Sequence, residues 1–186
     1  SATIAGTLIL ADRLWHNGGF TITSNTSQTV NSAAFPARDI NGSTNGAGVL
    51  LGLEISAAAG AAAPTITGGY TNIDNTASRT ATNTFATANS PSAGAFFPIG
   101  LQAGDIGVRS VQSLTLSASW VSGTMNLVAY RPIAALELVG AFVPNAIDAL
   151  TSGFPRLFNG SVPFFIFIPS TTTTSNISGS VVWTQG

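Results

Sequence analysis

The sequence predicts an all-β protein, a β-sandwich of jelly-roll or Greek-key type with about eight to ten strands and one short helix near residues 144–150. Three observations carry that prediction. In segment 111–132 (VQSLTLSASWVSGTMNLVAYRP), Leu114, Leu116, Ala118 and Trp120 alternate with Thr115, Ser117 and Ser119, and Met125, Leu127 and Ala129 resume the alternation after Ser122-Gly123-Thr124. That is the period of a strand with one buried face, and the segment reads as a hairpin ended by Pro132, which has no N–H for a central ladder. Charged residues are only 7% of the chain, with six Arg and no Lys, whereas helix surfaces are usually built from Glu, Lys, Gln and Arg. Thr, Val, Ile and Phe remain to favour strands, and Gly, Pro and Asn clusters punctuate them at short intervals.

The elements follow in order. Segment 3–14, with Leu8, Leu10 and Leu14, precedes the first firm turn at Asn17-Gly18-Gly19, so residues 1–15 are expected to form an edge strand or an N-terminal arm. Segment 20–30 is a polar, edge-like strand. Segment 35–48 holds Pro36, Asp39, Asn41-Gly42 and Asn45-Gly46 and reads as a surface loop. Segment 49–56 (VLLGLEIS) is apolar enough for burial on both faces, and 57–63 connects it to a further strand starting near Pro64. Strands are also expected at 79–88 and, buried, at 134–142, while Phe96-Phe97-Pro98-Ile99 leads into a turn at 102–105. Pro144 near its start and Gly153 beyond its end mark the helix. Segment 163–169 (PFFIFIP) is an apolar strand bounded by prolines, linked through 171–176 to a last strand at 177–184. No fixed-period repeat occurs, and the whole of 1–186 is expected as a single sandwich domain.

Composition excludes several partners. A net charge of −1 with no basic run lacks the cationic footprint that displaces counterions from nucleic-acid phosphates, and it lacks a polybasic membrane anchor. The apolar opening run is short and soon meets Asp12 and Arg13, so it is expected to be neither a signal peptide nor a span. There is no Cys, hence no disulfide, thiolate site or cysteine nucleophile. Little charge repulsion opposes association with copies of itself or with a partner.

Few motifs carry chemistry. His16, the only histidine, lies in Trp15-His16-Asn17 without a G-x-S-x-G elbow and is expected to be a packed or loop residue. Asp39 to Gly46 resembles a calcium loop, but the twelfth position falls on Leu50 where a bidentate acid is required. Tandem Asn-Gly turns are the better description. Seven scattered acids give no glycosidase pair, and the N-x-S/T triplets at Asn25, Asn41, Asn159 and Asn176 follow from composition. No catalytic, cofactor-binding or metal-ligating residue is therefore expected. Trp15, Tyr70, Trp120, Tyr130 and Trp183 suit a core or subunit interface better than a sugar-stacking face. Arg109 and Arg131, near the two ends of the hairpin, are expected to pair with Asp105 or Glu137, because guanidinium matches a carboxylate in two parallel hydrogen bonds. The candidate interface set is Trp15, Arg109, Trp120, Tyr130, Arg131 and Trp183.

The segments DRLWHNGG (12–19), PARDINGSTNG (36–46), AFFPIGLQAGDIGVRSVQ (95–112), the AYRP at the end of the hairpin and IDALTSGFPRLF (147–158) resemble a group of small proteins of tailed bacteriophages. The resemblance spans most of the chain and carries no catalytic residues. It implies a virion structural protein, similar to the jelly-roll capsid decoration (cement) proteins that sit as trimers on the outer shell and brace neighbouring capsomers. The expectation is a non-enzymatic homotrimer on the outer capsid surface, bound to the major capsid protein, with no nucleic-acid or membrane partner and no cofactor. The absence of Lys means this chain donates no lysine to an isopeptide cross-link and the absence of Cys removes disulfide stapling, so attachment is expected to be non-covalent and multivalent. The alternative from another class is a carbohydrate-binding or receptor-binding sandwich of a head fibre, collar or tail. A small hydrolase using His16 is a third.

Overall fold

The computed structural model describes residues 4–172 and 176–184; the expected features at Thr3, Thr173, Thr174 and Ser175 lie outside the described residues. The chain is almost entirely β. Its strands are β1 (Gly6–Phe20), β2 (Gln28–Thr29), β3 (Leu50–Ala57), β4 (Thr65–Asn72), β5 (Arg79–Thr84), β6 (Phe96–Ile99), β7 (Val108–Leu116), β8 (Thr124–Leu138) and β9 (Pro163–Pro169), with one helical turn, α1 (Ala149–Ser152), before β9. They form two sheets, one ordered β6-β3-β8-β1-β9 and the other β2-β7-β4-β5. Without β9, the orders 1-8-3-6 and 2-7-4-5 are those of a jelly roll, two interlocked Greek keys.

The chain divides into two compact units. The larger comprises Asp12–Pro132 and Arg156–Val162. Its core is built as period-2 alternation requires: Leu51, Leu53 and Ile55 of β3 and Met125, Leu127 and Ala129 of β8 join Ile66 and Tyr70 of β4 and Val111, Leu114 and Leu116 of β7, all 1% exposed or less. Burying each of the larger side chains contributes about 1.5–3 kcal/mol. Mutual hydrogen bonds between Thr82 and Gly100, 2.8 and 3.0 Å long, tie β5 to the chain just after β6 and close one side of the sandwich.

The expected hairpin at 111–132 is not one. β7 and β8 belong to different sheets, and 117–123 crosses between them. Alternation specifies which face of a strand is buried but not which strand lies beside it, and both arms here turn their apolar face to the same core. Trp120 anchors the crossing: its main-chain N–H donates to the Ile22 carbonyl at 2.8 Å, and its fully buried ring meets Phe85 edge-on at 5.1 Å. Gly123 follows at φ +102°, where a Cβ would lie 2.7 Å from the Ala58 carbonyl oxygen. No other residue fits there.

Pro132 does not end a strand either, because β8 runs through it to Leu138. Pairing of β8 with β3 stops at Leu50↔Tyr130, so the exposed Pro132 lies two residues past the last pair, where β3 needs no donor from it. Segment 20–30 is reduced to the two residues of β2, at the edge of its sheet.

The smaller unit comprises Ser1–Ala11, Ile133–Pro155 and Pro163–Gly186. Here the expectation of an edge strand or free arm at residues 1–15 is corrected. β1 lies between β8 and β9, and the Ser170 N–H donates to the Ala5 carbonyl at 3.0 Å where β9 ends. The apolar β9 covers an edge that would otherwise present unpaired N–H and C=O groups. The strand expected at 134–142 stops at Leu138, leaving Val139 and Phe142 exposed. Segment 177–184 is not a strand: Val181, Val182 and Trp183 are exposed. The helix begins later than the Pro144 signal suggests, because Asp148 caps it by accepting from the Leu150 and Thr151 N–H groups, and Gly153 ends it at φ +61° as expected.

Candidate functional site

The chain's sparse charges are concentrated inside the larger unit. Asp12 on β1, Arg38 and Asp39 in the 35–48 loop and Arg131 on β8 are each 9% exposed or less. Alternation separates Asp12 from Arg13, whereas Arg38 and Asp39, side by side in a loop, are both buried. In β1, Asp12 points inward while Arg13 points outward to a bidentate pair with Glu54, at 2.8 and 3.2 Å.

Asp12 Oδ2 lies 3.2 Å from Arg38 Nε and 4.0 Å from Arg131 Nη2, and the carboxylate also accepts from Ser161 Oγ at 2.9 Å and the Val162 N–H at 2.7 Å. Both guanidinium groups then reach main-chain carbonyls. Arg38 donates to Arg13 at 2.9 Å and to Gly160, while Arg131 donates to Arg156 at 2.9 Å. The Phe158 ring lies 5.5 Å from the guanidinium carbons of both Arg131 and Arg156, a cation–π contact on each. Together these contacts clamp 156–162 to the sandwich. Burial pushes the Arg131 pKa below its ordinary value, against the opposing pull of Asp12 and Asp39.

Asp39 serves its own loop. Its carboxylate accepts from the N–H groups of Asn41, Ser43, Gly46 and Ala47 and from Ser43 Oγ, at 2.7–3.1 Å. Burial raises its pKa, but the hydrogen bonds from Ser43, Ala47 and Asn41 together outweigh burial and the net shift is downward. These five donors hold the 39–47 loop in its turned conformation. Among the described residues no group of three His, Cys, Asp or Glu side chains is placed to hold a metal ion.

A second polar knot surrounds Asp105. Arg79 donates to both of its oxygens at 2.8 and 3.1 Å, the Tyr70 hydroxyl at 2.5 Å and Asn72 Nδ2 at 2.8 Å. Arg79 first, then Tyr70 and Asn72, hold the Asp105 pKa down at about 2. Burial first, then the bond to Asp105, raises that of Tyr70.

The candidate interface residues therefore divide. Trp120, Tyr130 and Arg131 are taken up inside the fold, 4% exposed or less, and offer no area to a partner. Burial pushes the Tyr130 hydroxyl up to about 12. Trp15 is half-buried against Phe35, ring centres 5.8 Å apart. Arg109 is half-buried and makes no ion pair among the described residues, and Trp183 is 51% exposed. Neither expected Arg pairing forms: Asp105 goes to Arg79, and Glu137 accepts from the Thr7 hydroxyl. With Tyr70 also at 0% exposure, the five large aromatics make no common stacking face. His16 is exposed, near Glu54.

Sequence reasoning passed over Asp12, Arg38 and Ser161, which come together across up to 149 positions. The one available signal was the repeated Asp/Arg neighbour pair in a chain with so few charges. No family model, curated protein or solved structure matches the chain.

Proposed function

We propose that the chain is a non-enzymatic virion structural protein, a capsid decoration protein that associates with copies of itself and binds the major capsid protein through apolar and hydrogen-bonding contacts. The observation that carries the proposal is the surface of the smaller unit. Its buried apolar residues are Ala11, Ile133, Leu138 and Ile166, whereas Val139, Phe142, Leu150, Phe165, Val182 and Trp183 are more than half exposed. Apolar exposure on that scale marks a surface that is covered in use. Glu137 and Asp148 are the only charges in that unit, so little like-charge repulsion opposes docking.

The jelly-roll strand order supports the same reading at the level of the scaffold, although a scaffold shared by many proteins fixes no role by itself. With no Lys of its own to donate to a cross-link and no Cys, attachment is read as non-covalent, with strength supplied by many copies on a shell of fixed geometry. The test is the copy number in purified virions, by quantitative mass spectrometry against the major capsid protein. A ratio near one to one is expected. A few copies per particle would place the protein at a vertex, collar or tail and overturn the decoration role.

A further inference from the structure

The outer face of the four-stranded sheet carries hydroxyl groups in register. One row across the strands runs Thr80–Gly69–Ser113–Thr29, the next Thr82–Thr67–Thr115, and the third pairs Thr84 with Thr65. Side chains two residues apart share a face, so the three rows lie on one side while Ala81, Ile66, Leu114 and Leu116 fill the other. The rows contain no charge, no aromatic ring and no large aliphatic side chain. Such a face is unlike an ordinary solvated sheet surface, where Lys and Glu are common.

Gly69 interrupts the first row. Ser113 Oγ closes over Gly69, 2.5 Å from where a Cβ would stand, and a shallow groove of about 360 Å³ lined by Gly69, Ser78, Arg79, Thr80, Gln112 and Ser113 runs beside it. Ser78 holds φ +60°, an uncommon conformation for a residue with a side chain, at the groove's end.

We infer that this hydroxyl face and its groove form a binding site for a neutral polysaccharide, with the sugar chain running across the strands along the Thr80–Gly69–Ser113 row. The chemistry of the face selects the ligand. An anion needs an uncommitted cation, and Arg79 is already bound by Asp105 on two nitrogens. A protein partner held by apolar anchors finds none in the rows. A flat crystalline surface fails on geometry, because neighbouring strands rotate by about 20–25°. A chain with rotatable glycosidic bonds follows that rotation.

In the adjoining Thr82–Thr67–Thr115 row successive strands present a hydroxyl about every 4.8 Å, close to the advance of one sugar along an extended pyranose chain, while in the first row Thr80 and Ser113 flank the gap at Gly69. Each Thr hydroxyl both donates and accepts, its methyl packs on sugar C–H groups, and its branched Cβ restricts the rotamer before binding. The site is distinct from the aromatic set, and the inference does not rest on the capsid role.

The experiment is affinity electrophoresis of the purified chain through gels containing amylose, galactan, soluble cellulose or soluble chitin derivatives. Retardation in at least one gel is expected. The triple variant Thr67→Val/Thr80→Val/Thr82→Val keeps shape and branching while removing three hydroxyls, and should weaken retardation about tenfold with an unchanged Tm; Trp183→Ala should leave it intact. Absence of retardation in all four gels overturns the inference, and so does retardation that survives the triple variant or disappears in Trp183→Ala. Copy number per virion bears on the capsid role alone, so the two ideas fail separately.

Discussion

Asp12 and Arg38 meet inside the sandwich, Oδ2 to Nε at 3.2 Å, with the carboxylate wholly shielded from solvent. The Arg13–Glu54 pair starts one residue later on β1, but its side chains are 21% and 27% exposed. The two pairs offer a direct comparison of what burial does to an ion pair.

Asp12→Ala is expected to destabilise the fold by about 3–5 kcal/mol, because it strands two buried guanidinium groups. Glu54→Ala should cost only about 0.2–1 kcal/mol, since water screens that pair. Urea midpoints at pH 7 measure both. Equal losses would show that the buried cluster contributes nothing special.

The clamp on 156–162 makes a second prediction. Arg131 Nη2 holds the Arg156 carbonyl, the carbonyl of the bond that trypsin would cut. Asp12→Ala should accelerate cleavage after Arg156 in limited digestion relative to other Arg sites. An unchanged rate at that bond would mean the segment is held by other contacts.

Asp105 predicts an acid-side loss. Its carboxyl sits at about 2 in the folded chain against an ordinary 3.8. A folded value below the unfolded one gives stabilisation that is fully present above the unfolded pKa and is lost as pH falls from about 4 through about 2. Asp105→Asn should flatten the stability–pH curve in that window, read by urea titrations at several pH values. A slope identical to the parent's would exclude Asp105 as its source.

Gly46 is held at φ +85°, and a Cβ there would come within 1.9 Å of the Val108 carbonyl oxygen. Backbone cannot swing aside as a flexible side chain does. Gly46→Ala is expected to lose at least about 1–3 kcal/mol from strain alone, with the contact adding to it. A melting temperature within a degree of the parent's would contradict this.

If copies associate through the smaller unit, sedimentation should give three times the 18.8 kDa chain mass, as a trimer requires. The variant Phe142→Ser/Val182→Ser/Trp183→Ser changes exposed positions only and should shift the mass toward the monomer without lowering Tm. A parent chain that is monomeric at high concentration would remove the association surface.

Much of this fold was legible in local pattern, and most of the clamp was not. Alternation located β7 and its buried face, a continuous apolar run located β3, and Gly153 marked the helix end. Alternation misled at 111–132, where 117–120 were read as strand and 122–124 as a tight turn although 117–123 cross between sheets, because period alone does not report the partner strand. It also misled at 177–184, whose Val-Val-Trp run reads as a strand but finds no partner strand among the described residues of the chain. Asp12, Arg38 and Arg131 converge only after the jelly roll has formed, since no short-range spacing links positions 12, 38 and 131.

The adjacency of β1 and β8 sets a clock for the emerging chain. During synthesis β1 must wait for more than a hundred further residues before its neighbour exists, and then for β9 to cover its other side. At ordinary synthesis speeds of about 5–20 residues per second, that is roughly 6–24 seconds with an apolar strand exposed. Pairings of such long range also form slowly once synthesis ends. The nascent chain thus has a vulnerable interval built into its topology, and cells rich in holdase chaperones should yield more of this protein than cells depleted of them.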